Sequence, residues 1–331
     1  MGAGAKSLPL LLAGAVLAAL NAYVLLGGAD FGGGVWDLLA RGPRQRAQRD
    51  LITHAIGPIW EANHVWLILV IVLLFVCFPE AFTRLTVTLN IPLTLVLFGI
   101  VLRGSAFVFR SYGGGRDEVQ NRWGRVFATA SLITPVLLGM AFGAAASGRV
   151  IFPEPDMPFT QAYLAPWISP FSVQVGVLTL AAFAYLAAVY LTVAASDDAM
   201  REDFRRRALI AGFVVLLVGA PPLWATMPRW EIIAAATATA ALAMWSVYTR
   251  RFQLARIAAA AQISLVLWGW AIAQYPLILP PDLAVEDAAA PAPTLRLVAW
   301  ALGAGFVVLV PSLVYLYRVF DSSPDRTGDA A

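Results

Sequence analysis

The stretch "GPIWEANHVWLILVIVLLFVCF", residues 57–78, decides how this chain is read. Its second half carries no charge, and the whole reaches the ~20 apolar residues that a helix needs to cross a bilayer core. Its first half takes Glu61, Asn63 and His64 into the same segment. The apolar length sets the fold class. The polar residues at its start set the functional question.

Working outward, eight further segments repeat the pattern. Candidate spans run over about 8–38, 55–77, 82–109, 124–146, 167–195, 207–227, 231–249, 254–275 and 295–318. Composition agrees: 60% of the 331 residues are hydrophobic and 13% charged, against roughly 25% charged in soluble domains. The expected fold is therefore an all-α integral membrane protein of nine transmembrane helices. It forms one membrane domain over 1–320, with 321–331 as a disordered tail. Spans one to four (about 8–146) and five to eight (about 167–275) would form two four-helix bundles, leaving span nine (about 295–318) over. The apolar N-terminal stretch is read as a first span rather than a signal peptide, because it outruns signal length without a clear cleavage site. Pro92 and Pro135 fall inside spans, where neighbouring helices can re-satisfy the backbone.

Basic residues orient the chain. Seventeen of the twenty-three fall on the connections after spans one, three, five and seven and on the tail, and five on the opposite side. By the positive-inside rule the N-terminus is outside and the C-terminus cytoplasmic. The arginine clusters also suit anionic lipid head groups, which leads to the same orientation. No nucleic-acid partner is expected.

Charged groups within a span are costly and mark function by default. Asp30, Glu61 and Arg103 each lie about eight residues from the cytoplasmic end of a span, roughly 10 Å deep. Glu61 and His64 are about 60° apart around their helix, with Trp60 on the same side and Asn63 turned elsewhere. Asp37, seven residues after Asp30, shares its stripe with Tyr23. Two polar faces would thus open toward the cytoplasm, and a carboxylate beside an imidazole can pass protons because histidine titrates near neutrality. The competing reading is a structural ion pair of Arg103 with Asp30 or Glu61. Two histidines and scattered methionines do not suggest a haem or copper centre in this chain, and no metal site is expected. The lone Cys77 cannot form an intrachain disulfide. "GADFGGG" lacks the lysine and the preceding strand of a phosphate loop.

The motifs "GGADFGGGVWDLL", "AIGPIWEANHVWLIL" and "LFVCFPEAF", followed by "WGWAIAQYPLILPPDLAVEDAAAP" and "LYRVF", resemble the second subunit of cytochrome bd-type quinol oxidases over about residues 25–320. The resemblance implies a subunit of a complex that couples quinol oxidation to reduction of dioxygen to water, with no activity in the isolated chain. It implies that haems b and d and the quinol site lie in the partner, subunit I of a heterodimer. The second subunit would hold no haem, though some members hold a structural quinone. It would also help to bring cytoplasmic protons toward the haems, in the cytoplasmic membrane of a bacterium or archaeon. Carried over residue by residue, Asp30 matches the acid of the first-helix motif, and Trp60 and Glu61 match the Trp-acid pair of the second helix. His64 stands where members carry glutamate or histidine. Some members have aspartate at the position of Glu61, and some have a second acid where this chain has Leu26 or Gly27. The expected proton path is Asp30, Glu61 and His64, supported by Trp60, Arg103 and Asp37. The alternatives are a proton- or ion-coupled secondary transporter, disfavoured by off-centre charges and the lack of an inverted repeat, and a scaffold whose acids only pair.

Overall fold

A computed structural model describes residues 3–56, 60–112, 117–226 and 229–321. The expected tail at 321–331 lies outside them beyond its first residue. The helices are α1 (Ala3–Leu39), α2 (Gln45–Ile56), α3 (Trp60–Cys77), α4 (Pro79–Thr88), α5 (Asn90–Tyr112) and α6 (Asp117–Ala146). A single π-helical turn (Thr160–Leu164) precedes α7 (Pro170–Ala194), α8 (Asp198–Thr226), α9 (Trp230–Tyr248), α10 (Phe252–Gln274) and α11 (Ala292–Asp321). Among the described residues eight helices are long and apolar enough to cross a membrane. The chain is a multi-pass membrane protein. The sixth expected span, 207–227, falls in α8, which is not among the eight. Its first third holds Arg201, Glu202, Asp203 and Arg205–Arg207.

Two expectations need correction. The third span, 82–109, is two helices. Pro79 opens α4, which ends at Thr88 with Leu89 as its cap, and Pro92 falls in the first turn of α5, where its missing N–H costs nothing. The connection after span one also holds a helix, α2. This helix is polar outside, packs on α1 and α7, and buries Ile52 and Gln48.

Helix α1 is the hub. It packs on α3, α6 and α7, while α5 pairs with α6, α7 with α8, and α9 with α10. Apolar surface gains nothing by leaving lipid for another helix, so close contact through small residues has to hold such helices together. Gly32 makes the closest approach: a methyl there would run into the backbone carbonyl of Phe183 on α7. Gly34 does the same against Ser131 of α6. One core fills the space among α7–α10 and reaches α2. A second closes the opposite end, where an antiparallel ribbon, β1 (Leu277–Leu279) and β2 (Leu283–Ala284), buries Leu279 and Leu283 over α3 and α6. The connection 276–294 is thus a packed cap. The amide of Ala290 donates to the Cys77 carbonyl at 2.8 Å. Helix α11 flanks α1 and α3 with its apolar segment unburied by this chain.

Candidate functional site

The glycines around Asp30 bring α6 and α7 close to α1, and Asp30 is only 3% exposed. Asn63 on α3, 1% exposed, donates its amide N–H to the Asp30 carboxylate at 2.8 Å. Arg103 on α5 is equally enclosed. Its Nη2 donates to the main-chain carbonyl of Asp30 at 3.0 Å and its Nε to Ser131 Oγ at 3.2 Å. Its guanidinium stacks 4.7 Å from the Phe31 ring and 5.1 Å from Phe127. The competing reading, an ion pair of Arg103 with Asp30 or Glu61, takes another form: Arg103 bonds the Asp30 main-chain carbonyl, and among the described residues no hydrogen bond joins it to either carboxylate.

Helix α3 turns differently from the sequence expectation. Asn63, placed away from the site by helical phase alone, is the residue that enters it. Positions 61 and 63 are about 200° apart, so burying Asn63 turns Glu61 outward. Glu61 is exposed, at the head of a face that continues through Val65, Ile68, Val72 and Phe75. The inward line is Asn63, Val70, Leu73 and Cys77. Glu61 and Asp30 thus do not line one pocket within this chain.

His64 lies between these faces. Its ring is edge-on to Tyr23 at 5.9 Å and to Trp60 at 6.0 Å. Its Nδ1 is 2.9 Å from the Trp60 carbonyl, which can only accept, so Nδ1 carries the proton in the neutral ring and Nε2 is a bare acceptor. That Nε2 and the Tyr23 hydroxyl are buried without a hydrogen-bond partner among the described residues. Trp60 packs on Phe107 and over Gly104 of α5, a turn beyond Arg103.

Asp37, two turns after Asp30 and 2% exposed, has a different setting. Both nitrogens of Arg110 reach its carboxylate, at 3.1 and 3.2 Å, and Arg49 Nε lies 3.9 Å away. Sequence reasoning counted those arginines only toward orientation. It missed Asn63 because α3 is apolar nearly all round and shows no phase; an asparagine inside such a run was the available signal.

A largely apolar cavity of about 360 Å³ opens among α1 and α6–α10. Tyr23 and Trp270 line it; Trp268 and Tyr275, the other aromatic residues near the end of α10, do not. The Trp270 indole N–H is buried and has no partner among the described residues.

A family model described as cytochrome bd terminal oxidase subunit II matches residues 8–320. The chain is 29% identical over 199 residues to cytochrome bd ubiquinol oxidase subunit 2 of Bacillus subtilis, a match covering 59% of this chain and 56% of that protein. It is 22% identical to a putative cytochrome bd menaquinol oxidase subunit II of the same organism, covering 90% and 91% of the two chains. A solved bd oxidase from Geobacillus thermodenitrificans superposes with a TM-score of 0.73 at 21% identity, over 95% of this chain and 98% of that one, and so has the same fold.

Proposed function

Because the chain belongs to the subunit II family of cytochrome bd terminal oxidases, we propose that it serves a quinol:dioxygen oxidoreductase as the haem-free partner of a haem-bearing subunit I, and that it helps to bring protons to the partner. Nine spans, α8 included, would form two four-helix bundles and a ninth helix. The arginine-rich ends would face the cytoplasm, in a bacterial or archaeal cytoplasmic membrane.

The observation that carries this reading is the setting of Asp30: a buried carboxylate, mid-helix, held by a neutral amide. Asn63 keeps its donor bond whichever oxygen accepts it, so a proton can arrive on the free oxygen without stranding a bound cation. Arg103, hydrogen-bonded to the carbonyl, adds positive charge nearby without occupying the carboxylate. His64, with a bare Nε2, is an acceptor next to Tyr23 and one helical turn from Glu61.

Glu61 supports the second part of the reading. An ionisable residue in a membrane helix rarely faces lipid. An exposed carboxylate at the head of an apolar α3 face suits coverage by subunit I. Glu61 would then lie at the subunit boundary and hand protons across it. Oxygen reduction consumes protons at the haems, and the haems supply the electrons; this chain's residues hold and pass protons. A structural quinone, as in some members, would suit the 360 Å³ cavity, whose lining residues Tyr23 and Trp270 each hold a donor without a partner among the described residues.

The test is Glu61→Gln in the assembled oxidase. A relay predicts normal haem spectra with quinol-oxidase turnover reduced about a hundredfold, the lower end of what a positioned proton-transfer group contributes. Normal turnover with normal assembly would leave Glu61 as scaffold.

A further inference from the structure

At the arginine-rich end of α8 a pocket of about 390 Å³ lies between residues 40–44, α2 and the start of α8. Four arginines, Arg41, Arg44, Arg206 and Arg207, face one carboxylate, Asp203. That carboxylate is already occupied. Arg44 grips it with both nitrogens at 2.7 and 3.0 Å, and Gln48 donates to it at 3.0 Å. Of the neighbouring charges, Glu202 takes Arg206 Nε at 3.2 Å.

Arg207 is held in place without being satisfied. Its Nη2 donates to Gln48 Oε1 at 2.7 Å, and its guanidinium lies against the rings of Phe204 at 4.9 Å and Trp36 at 5.4 Å. Its Nη1 is buried and has no partner among the described residues. A buried guanidinium N–H without an acceptor is costly. Arg41 and Arg206, both exposed, flank it. A guanidinium fixed in place with one unpaired N–H, between two exposed cations, matches an oxyanion with several acceptor oxygens.

We propose that this pocket binds a phosphate group, supplied by the head of an anionic phospholipid. The surroundings favour the lipid over free phosphate. Arg207 stands where the charged start of α8 gives way to "ALIAGFVVLLVG". Below exposed Arg206 run Ile210, Phe213 and Leu217, on one helical face and each more than 60% exposed. A headgroup in the pocket would lay its acyl chains along that stripe.

The experiment uses the assembled oxidase purified in detergent. Retained phospholipid is quantified by mass spectrometry, and unfolding midpoints are measured with added phosphatidylglycerol, phosphatidylcholine or inorganic phosphate at matched ionic strength. Wild type is expected to retain phosphatidylglycerol and be stabilised by it, not by phosphatidylcholine. The double variant Arg41→Gln/Arg206→Gln removes two exposed cations, and its affinity should fall roughly thirtyfold, as for two basic contacts near an anionic surface. Arg207→Gln should abolish the preference, and Arg46→Gln, an exposed arginine outside the pocket, should leave it intact. If inorganic phosphate gives the same pocket-dependent stabilisation, the site is a phosphate site and the lipid source is overturned. If the double variant binds phosphatidylglycerol as wild type does, the proposal is wrong, whether or not Arg207→Gln assembles.

Discussion

Asp30 and Asp37 lie on one stripe of α1, two turns apart, and are 3% and 2% exposed. Sequence position and burial make them equivalent; their partners do not. Asp37 is gripped by the fork of Arg110, with Arg49 beside it. Asp30 accepts from an amide, and its arginine neighbour is occupied with a carbonyl. Removing the charge of Asp37 breaks a direct ion pair, whereas removing that of Asp30 breaks no ion-pair hydrogen bond, because Arg103 holds the main-chain carbonyl and Asn63 can still bond the side chain. On the proposed reading, burial alone does not separate a structural acid from a proton-carrying one. What bonds to the carboxylate does.

The contrast is most exposed by the paired variants Asp30→Asn and Asp37→Asn in the assembled oxidase. Asp30→Asn should preserve haem spectra and lower turnover about a hundredfold, the lower end of what positioned proton transfer contributes. Asp37→Asn should act the other way. Its guanidinium partners remain half-buried without a counter-charge, so the complex should lose about 2–3 kcal/mol of stability, read as a lower unfolding midpoint, with turnover per assembled complex nearly unchanged. Equal turnover losses in the two variants would erase the distinction drawn here.

Asn63→Leu sharpens the same point. It removes the amide that bonds Asp30 and leaves an apolar side chain in its place. Loss of a hydrogen bond to a charged group costs about 1.5–3 kcal/mol, so the unfolding midpoint should fall and turnover with it. Stability lost with turnover intact would mean that Asn63 fastens α3 to α1 and does nothing for the proton.

The membrane spans were legible because ~20 apolar residues in a row have few other uses. The matching depth of Asp30 and Arg103 was legible too, since 1.5 Å per residue needs only the span ends, and the structure joins them. What could not be read was rotation. Helix α3 is apolar on every side, so nothing in its pattern favoured Asn63 over Glu61 as the inward residue; packing against α1 decided it. Helix α2 escaped because its twelve residues are amphipathic and form no apolar run. The α4–α5 break hid because the apolar α5 follows directly on the amphipathic α4, although Pro79 and Pro92 marked it. Partners brought together from distant segments, such as Arg110 on Asp37, depend on tertiary contacts that no local pattern encodes.

The smallest expected effect belongs to Glu202, which extends the comparison to the surface. Like Asp37 it is held by arginines, three of them: Arg205 at 2.7 Å, Arg250 at 3.1 Å and Arg206 at 3.2 Å. Those hydrogen bonds, led by Arg205, lower its pKa from an ordinary 4.5 to about 2. A carboxylate lowered on folding contributes stability above its unfolded pKa and loses that contribution as pH falls toward the folded value. The contribution of Glu202 should therefore be complete above about pH 4.5 and fade between there and about pH 2. Solvent reaches this cluster, so Glu202→Gln should cost no more than about 1 kcal/mol at neutral pH. The difference in unfolding midpoint between wild type and variant should shrink as the pH is lowered from 5 to 3, and at pH 7 it should shrink with added salt. A difference that stays constant across that pH range would show that the arginines hold Glu202 by packing rather than by charge. In that case partner type would distinguish acids inside the bundle only, and the rule drawn from Asp30 and Asp37 would stop at the membrane boundary.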